Sequence, residues 1–277
     1  MPTLLYPPLR PQSIGEVLDS AFLIFKVTLL KCLPYGLLAM VASQLQSLYD
    51  VATGRPLGAG GVLWWLWFVV GVLASIVLWS GVILRQQAVL DRRPSAFGTH
   101  LAQGLRRLPA MASALVLALL AVGAGLLLLV LPGVYLAVAL SLTWQAVLLS
   151  GKGPLEALHR SRRLVSGNAL RVFTVFSVGL SMVLVFDLVM FTLVAVLLQF
   201  AGTGDLTVVT SYLPVVVVAL GSVTAPFLCA LALALYGDLE VRRAAGALSP
   251  TPEVLGGVAT TAGADDAPAP GEQVVER

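Results

Sequence analysis

Charged residues are scarce in this sequence. Only 11% of its 277 residues are Asp, Glu, Lys or Arg, whereas soluble domains contain about 25%. Hydrophobic residues make up 58% of the chain, and the mean hydropathy is +0.94. A soluble fold has too little interior to bury this much apolar surface, and a disordered chain needs low hydrophobicity and high charge. The composition therefore excludes a water-soluble enzyme and a disordered protein, and it predicts a polytopic membrane protein.

Cysteines, histidines and catalytic motifs are equally sparse. Cys32 and Cys229 stand in separate apolar stretches without a CxxC pattern, which excludes a disulfide framework and indicates packing. His100 and His159 have no partner at a zinc-binding spacing. The sequence contains no GxSxG, GxxxxGK[ST] or GxGxxG motif. We therefore predict a protein that is not an enzyme and that uses no metal or other cofactor.

Six apolar segments are long enough to cross a membrane, because about 20 helical residues span ~30 Å of hydrocarbon. The first segment has the weakest pattern, since it contains Pro34, Gln44 and Gln46. We place the six spans at 31–49, 62–88, 109–131, 134–150, 172–198 and 213–236.

Basic residues fall on one side of this arrangement. Arg55 is the single Lys or Arg of the 17 that lies in the first, third or fifth connection between spans. The positive-inside rule then places both termini in the cytoplasm. Arginine outnumbers lysine 14 to 3, which is typical of a GC-rich bacterial genome, so we expect the inner membrane of a bacterium. Residues 244–277 are acidic and rich in Ala, Gly and Pro, and they predict a disordered tail after a membrane domain of residues 1–243.

An amphipathic segment precedes each pair of predicted spans. Residues 13–30, 95–108 and 154–167 each place apolar side chains on one helical stripe and polar side chains opposite. We predict three copies of one unit, a cytoplasmic interfacial helix followed by a transmembrane hairpin. The alternative is that any helix at a membrane surface shows this pattern. The predicted fold class is an all-α membrane protein with six transmembrane helices in three such hairpins.

Asp187 is the clearest ionisable residue inside a predicted span, where such residues are costly and often functional. At 1.5 Å per residue from Arg171, it lies about 24 Å from the inner surface. Gln44, Ser75 and Thr224 lie at about 20–22 Å by the same count, so these four residues form a candidate intramembrane polar site. Asp187 could serve as a proton or cation site, contact a polar headgroup, or only fix helix packing.

Basic side chains near the inner surface are candidates for contacts with anionic lipid headgroups or with a protein partner. Arg85 lies near the inner end of its span, level with Gln145, and can extend to the headgroups. The basic residues are spread across connections and are not gathered on a soluble module, which argues against nucleic-acid binding. The further candidates are Arg106, Arg107, Arg160, Arg163, Arg171, Arg242 and Arg243.

Four short motifs follow one another along the chain. They are RPQSIGEVLD at 10–19, PGVYL at 132–136, GPLEALHRSRRLVSGN at 153–168 and LYGDLEVRR at 235–243. Through these motifs the chain resembles the membrane domain found beside glycerophosphoryl diester phosphodiesterase catalytic domains and in stand-alone bacterial proteins. The resemblance implies a six-helix integral membrane protein. It does not imply phosphodiesterase activity, because that chemistry belongs to a soluble barrel domain that this sequence does not contain.

The motif residues suggest ion pairs at the inner face and lead to two functional hypotheses. The first is a non-catalytic integral membrane protein that organises lipids or protein partners at the cytoplasmic face of a bacterial membrane. The alternative is a small transporter or lipid-moving protein with a polar site around Asp187. In either case we expect exposed pairs, individually weak, between the acids Glu16, Asp19, Glu156 and Asp238 and the bases Arg163, Arg171, Arg242 and Arg243.

Overall fold

Nine α-helices make up the part of the chain that the structure describes, and this part contains no strand. The computed structural model describes residues 6, 8–56, 58, 60–93, 96–151, 153–200 and 206–248, with the side chains of residues 215–245 in the last helix. The helices are α1 (Ile14–Ser43), α2 (Leu45–Ala52), α3 (Val62–Leu90), α4 (Phe97–Leu128), α5 (Val130–Leu140), α6 (Thr143–Ser150), α7 (Pro154–Val165), α8 (Ala169–Phe200) and α9 (Leu206–Leu248).

Six helical stretches are long and apolar enough to cross a membrane, which confirms the prediction of an all-α membrane protein with six spans. The fourth span is divided into α5 and α6, because the chain turns at Ser141 and Leu142. Helix α9 continues to Leu248, five residues past the predicted end of the membrane domain. The rest of the predicted tail lies outside the described residues. The six stretches are Ile14–Ser43, Val62–Leu90, Phe97–Leu128, Val130–Ser150, Ala169–Phe200 and Val215–Ala245.

The predicted amphipathic segments form a separate helix in one case of three. The third segment forms α7, but the first and second continue into the following span as α1 and α4, through Pro34 and Pro109. A helix with apolar residues on one side lies at a surface, and one with apolar residues all round lies in a core or a membrane. One helix can pass from the first environment to the second without ending. Proline is tolerated inside membrane helices because neighbouring groups satisfy the freed carbonyl. The prediction of separate interfacial helices is therefore wrong for the first two segments.

Helix α1 packs against α9 and α3, and glycine allows close approach at both contacts. A methyl group at Gly36 would lie 2.8 Å from the carbonyl oxygen of Ser222 in α9. At Gly71 in α3, it would lie 2.5 Å from the carbonyl oxygen of Ala42. Small residues of this kind let the backbones of membrane helices pack directly against each other.

Helix α8 is the least buried of the six spans. In its most apolar stretch of 18 residues, only 6% of the residues are buried, whereas 33% are buried in the corresponding stretch of α1. Its closest partner is α9, and it touches α1 much less. Because α8 does not close against α1, an opening remains between these two helices and α9.

Asp50 forms hydrogen bonds that hold the connection between α2 and α3 in place, at the end of the bundle opposite most of the arginines. Its carboxylate is fully buried and accepts hydrogen bonds from the backbone N–H of Gly58 at 2.8 Å and the indole N–H of Trp64 at 3.1 Å. The burial of Asp50 could not be predicted, because an acid at the end of a predicted span gives no sign of being buried. We assign Asp50 a structural role, since its contacts hold a tight connection in place.

Candidate functional site

A buried carboxylate organises one end of the bundle, where α1 and α8 begin and α9 ends. The Asp238 side chain has no exposed surface. It accepts hydrogen bonds from the backbone N–H of Gln12 at 2.7 Å, from Arg171 and from Arg242, whose Nε lies 2.9 Å away. Both guanidinium groups also donate to the carbonyl oxygen of Gln12. We call these four residues the Asp238 network, and the end of the bundle that holds them the basic end.

The Asp238 network joins segments that are far apart in the sequence. Asp238 pairs with Arg171 and Arg242, as the motif residues suggested. It is buried, however, and the expectation of weak exposed pairs is wrong for it. The difference matters because removing one partner of a buried pair leaves an uncompensated charge. Glu16 pairs instead with Arg10 and closes a capping box with Ser13 at the start of α1.

The network also sets the register of α8 against α9. Sixteen residues separate Arg171 from Asp187 on α8, and fourteen separate Asp238 from Thr224 on α9. Both distances correspond to about 21–24 Å of helix. At this height the Thr224 side chain lies beside the Asp187 carboxyl, and its hydroxyl donates a hydrogen bond to the carbonyl oxygen of Leu220 at 3.0 Å. The Oδ1 atom of Asp187 is buried and has no hydrogen-bond partner among the described residues.

The structure thus brings together two of the four residues of the candidate intramembrane site, and it places the other two elsewhere. The Ser75 hydroxyl donates to the carbonyl oxygen of Ala39 at 3.2 Å and lines a separate cavity of about 290 Å³ together with Gln46. Gln44 lies at the C-terminal end of α1. The four residues were matched by depth, and depth does not determine on which side of a bundle a residue lies.

A groove of about 870 Å³ lies between α1, α8 and α9, next to the Asp187–Thr224 pair. Along α8 it extends from Ser177 to Val189, which is about 18 Å of helix. Aromatic rings form part of its wall, with the ring centroid of Phe227 4.8 Å from that of Phe22 and 5.7 Å from that of Phe25. The lining is mainly apolar, and its polar members are Ser177, Ser181 and Thr224.

Some of the predicted headgroup contacts are side chains that form hydrogen bonds within the protein, and others are exposed. Arg107 donates to the carbonyl oxygen of Val147 at 2.5 Å, and Arg160 donates to Tyr236 and Glu240. Arg171 and Arg242 belong to the Asp238 network. Arg85 is half-buried and Gln145 is buried. Of these candidates, the ones whose side chains are exposed, and which can therefore reach headgroups, are Arg106, Arg163 and Arg243.

Comparison of the chain with known protein families, curated proteins and solved structures finds no match. The resemblance to the membrane domain found beside glycerophosphoryl diester phosphodiesterases therefore stays a prediction that rests on the four motifs. Among the described residues, no group of three or more His, Cys, Asp or Glu side chains could hold a metal ion. The site has to be interpreted from its own geometry.

Proposed function

We propose that this chain is a non-catalytic membrane protein that binds anionic lipids and organises them at its basic end. The groove between α1, α8 and α9 is the observation that carries this proposal. It lies along stretches of α1, α8 and α9 that are long and apolar enough to cross a bilayer. We propose that it holds an acyl chain of a lipid whose headgroup lies at the basic end.

An acyl chain is the occupant that fits the groove best. In a bilayer, the groove opens onto lipid tails, because α8 exposes most of its surface along this stretch. An empty apolar groove forfeits dispersion contacts, whereas an acyl chain in it restores them. The aromatic wall of Phe22, Phe25 and Phe227 offers such a chain a rigid apolar surface.

Exposed basic side chains supply the matching contacts for a headgroup. Arg163 and Arg243 are exposed on α7 and α9. Each basic residue near an anionic membrane surface contributes about 1 kcal/mol of attraction. We propose that this end of the protein faces the cytoplasm of a bacterial cell, because the positive-inside rule assigns the basic side of a membrane protein to the cytoplasm.

A bulky side chain in the groove tests the proposal. Val178 and Val196 both lie on α8 and have similar exposed fractions, 37% and 41%, but only Val178 lines the groove. We expect Val178→Trp to displace the acyl chain and Val196→Trp to leave it in place. The measurement is the amount of phospholipid that stays with the detergent-purified protein, determined by mass spectrometry. A severalfold loss in Val178→Trp alone supports the proposal, and equal retention in both variants contradicts it.

The unpartnered Oδ1 atom of Asp187 favours a second candidate, a protein that moves lipids or a coupled ion through the membrane. A carboxyl beside a groove, with a buried oxygen that has no hydrogen-bond partner among the described residues, can accept a polar group that passes along α8. We expect Asp187→Asn and Thr224→Val to slow the transfer of fluorescent lipids across reconstituted vesicles severalfold. Thr192→Val is the control, because Thr192 is exposed on α8 away from the groove lining. Transfer at the wild-type rate in Asp187→Asn removes this candidate.

A further inference from the structure

A second cavity, of about 240 Å³, lies at the basic end where α3, α6, α7 and α9 meet beside Tyr6. Arg160 spans part of it, with its Nε donating to the Tyr236 hydroxyl at 3.1 Å and its Nη2 donating to Glu240. The Tyr6 hydroxyl donates to the carbonyl oxygen of Leu233 at 3.0 Å. The remaining polar lining consists of Gln87, Asp91 and Ser150.

The balance of charge in this cavity is opposite to that of the surrounding surface. Its ionisable lining consists of two carboxylates, Asp91 and Glu240, and one guanidinium, that of Arg160. Glu240 neutralises Arg160 through their ion pair. Arg93 lies 3.7 Å from Asp91, but its side chain is 78% exposed, so this pair is weak. The ionisable lining groups therefore sum to one negative charge, and the Arg93 guanidinium, at the exposed rim, offsets Asp91 only in part.

The surroundings of Tyr6 agree with this charge balance. Burial raises the pKa of Tyr6, and Glu240, Tyr236 and Asp91 raise it further. The Tyr6 phenol thus stays protonated and keeps its hydrogen bond to Leu233. Arg160 has a raised pKa because it donates a hydrogen bond to Glu240, so its guanidinium stays charged and engaged. An anion would therefore meet an occupied guanidinium and the carboxylate of Asp91.

We propose that this cavity binds a small organic ammonium group, either the amine of a phospholipid headgroup or a free amine of the ethanolamine kind. Asp91 supplies the counter-charge, and the rings of Tyr6 and Tyr236 supply cation–π contacts. Gln87 and Ser150 offer oxygen atoms that accept hydrogen bonds from the ammonium. The volume is below the range of drug-sized sites, which begins at about 300 Å³, and suits a headgroup-sized ligand.

This cavity is separate from the groove, so the proposed ammonium binding can be tested independently of the proposed acyl-chain binding. The test uses the full chain purified in detergent, with ethanolamine as the probe and inorganic phosphate as the anionic comparison, and it measures binding by calorimetry. We expect ethanolamine to bind, and we expect phosphate not to compete with it. We expect the dissociation constant for ethanolamine to rise at least tenfold in Asp91→Asn. The control is Asp19→Asn, which changes an exposed carboxylate on α1 that does not line this cavity.

Two further arms identify the source of the ammonium and guard against a folding defect. Nanodiscs with equal shares of phosphatidylglycerol are compared, with phosphatidylethanolamine or a neutral glycolipid as the second component. The protein should be more stable to heat with phosphatidylethanolamine if the natural ligand is a headgroup, and equally stable in both if it is a free amine. Gln87→Leu keeps every charge and removes one acceptor, so it should weaken ethanolamine binding even if Asp91→Asn does not fold. The proposal is overturned if ethanolamine binds neither in detergent nor through the lipid headgroup, or if all variants bind it equally.

Discussion

We expect Asp238→Ala to lower the free energy of unfolding by about 3–5 kcal/mol, the usual loss when one partner of a buried ion pair is removed. The substitution leaves Arg171 and Arg242 facing each other without their shared carboxylate, and it removes the acceptor for the backbone N–H of Gln12. The start of α1 should then detach from α8 and α9. Thermal unfolding of the detergent-purified protein, followed by tryptophan fluorescence, measures the loss.

The matched control is Asp19→Ala, because Asp19 is an exposed acid on the same end of α1. Its removal should change stability by less than about 0.5 kcal/mol, as is usual for surface substitutions. Removing Arg10 from its exposed pair with Glu16 should likewise cost at most about 1 kcal/mol. If Asp238→Ala unfolds at the same temperature as Asp19→Ala, the network does not hold the basic end together.

The second large effect is expected at Gly71, where α3 meets the backbone of α1. Any side chain there begins with a Cβ atom 2.5 Å from the carbonyl oxygen of Ala42, so Gly71→Leu must push the two helices apart. Overpacking a well-packed interior costs about 1–3 kcal/mol, and a clash with backbone cannot be relieved by changing a rotamer. The expected result is a lower unfolding temperature and a reduced yield of folded protein.

Gly123→Leu is the comparison for this substitution. Gly123 also lies inside a span, on α4, but no atom outside its own helix segment lies within 4 Å of a methyl group placed there. Glycine is about 0.8–1.0 kcal/mol less favourable than alanine inside a helix, and leucine is close to alanine. This variant should therefore be as stable as the wild type or slightly more so. Equal destabilisation of Gly123→Leu and Gly71→Leu would show that the α1–α3 contact is not close.

The number and position of the spans could be predicted because they depend on local hydropathy and length. The second predicted span, 62–88, differs from α3 by only two residues. Helix ends are harder to predict. The predicted span 109–131 begins at Pro109, whereas Pro109 lies inside the 32-residue helix α4.

The arrangement of the site could be predicted only in part, because it depends on how the helices are placed around the bundle. Asp187 and Thr224 were matched by depth and do meet, since α8 and α9 are neighbours held in register by the Asp238 network. Ser75 has a similar predicted depth but lies between α3 and α1. The burial of Asp238 depends on a backbone segment more than 200 residues away, and no local pattern reports such a contact.

The groove and the network are linked through the same two helices. Arg171 and Asp238 join α8 and α9 at the basic end. Along α8 the groove begins at Ser177, about two helical turns from Arg171. The width of the groove therefore depends on an ion pair that lies outside it. A lipid bound along this groove would have its tail beside Phe22 and Phe227 and its headgroup among the arginines of the basic end.

The most direct measurement of the central claim is photo-crosslinking with an anionic phospholipid that carries a diazirine in its acyl chain. Wild-type protein in nanodiscs containing this lipid is irradiated, digested and mapped by mass spectrometry. We expect adducts concentrated on the groove side of α8, between Ser177 and Val189, and at Phe22 and Phe25 of α1, and we expect these adducts to be lost in Val178→Trp. Adducts spread evenly over the lipid-facing surface of α8, unchanged by that substitution, would contradict the central claim.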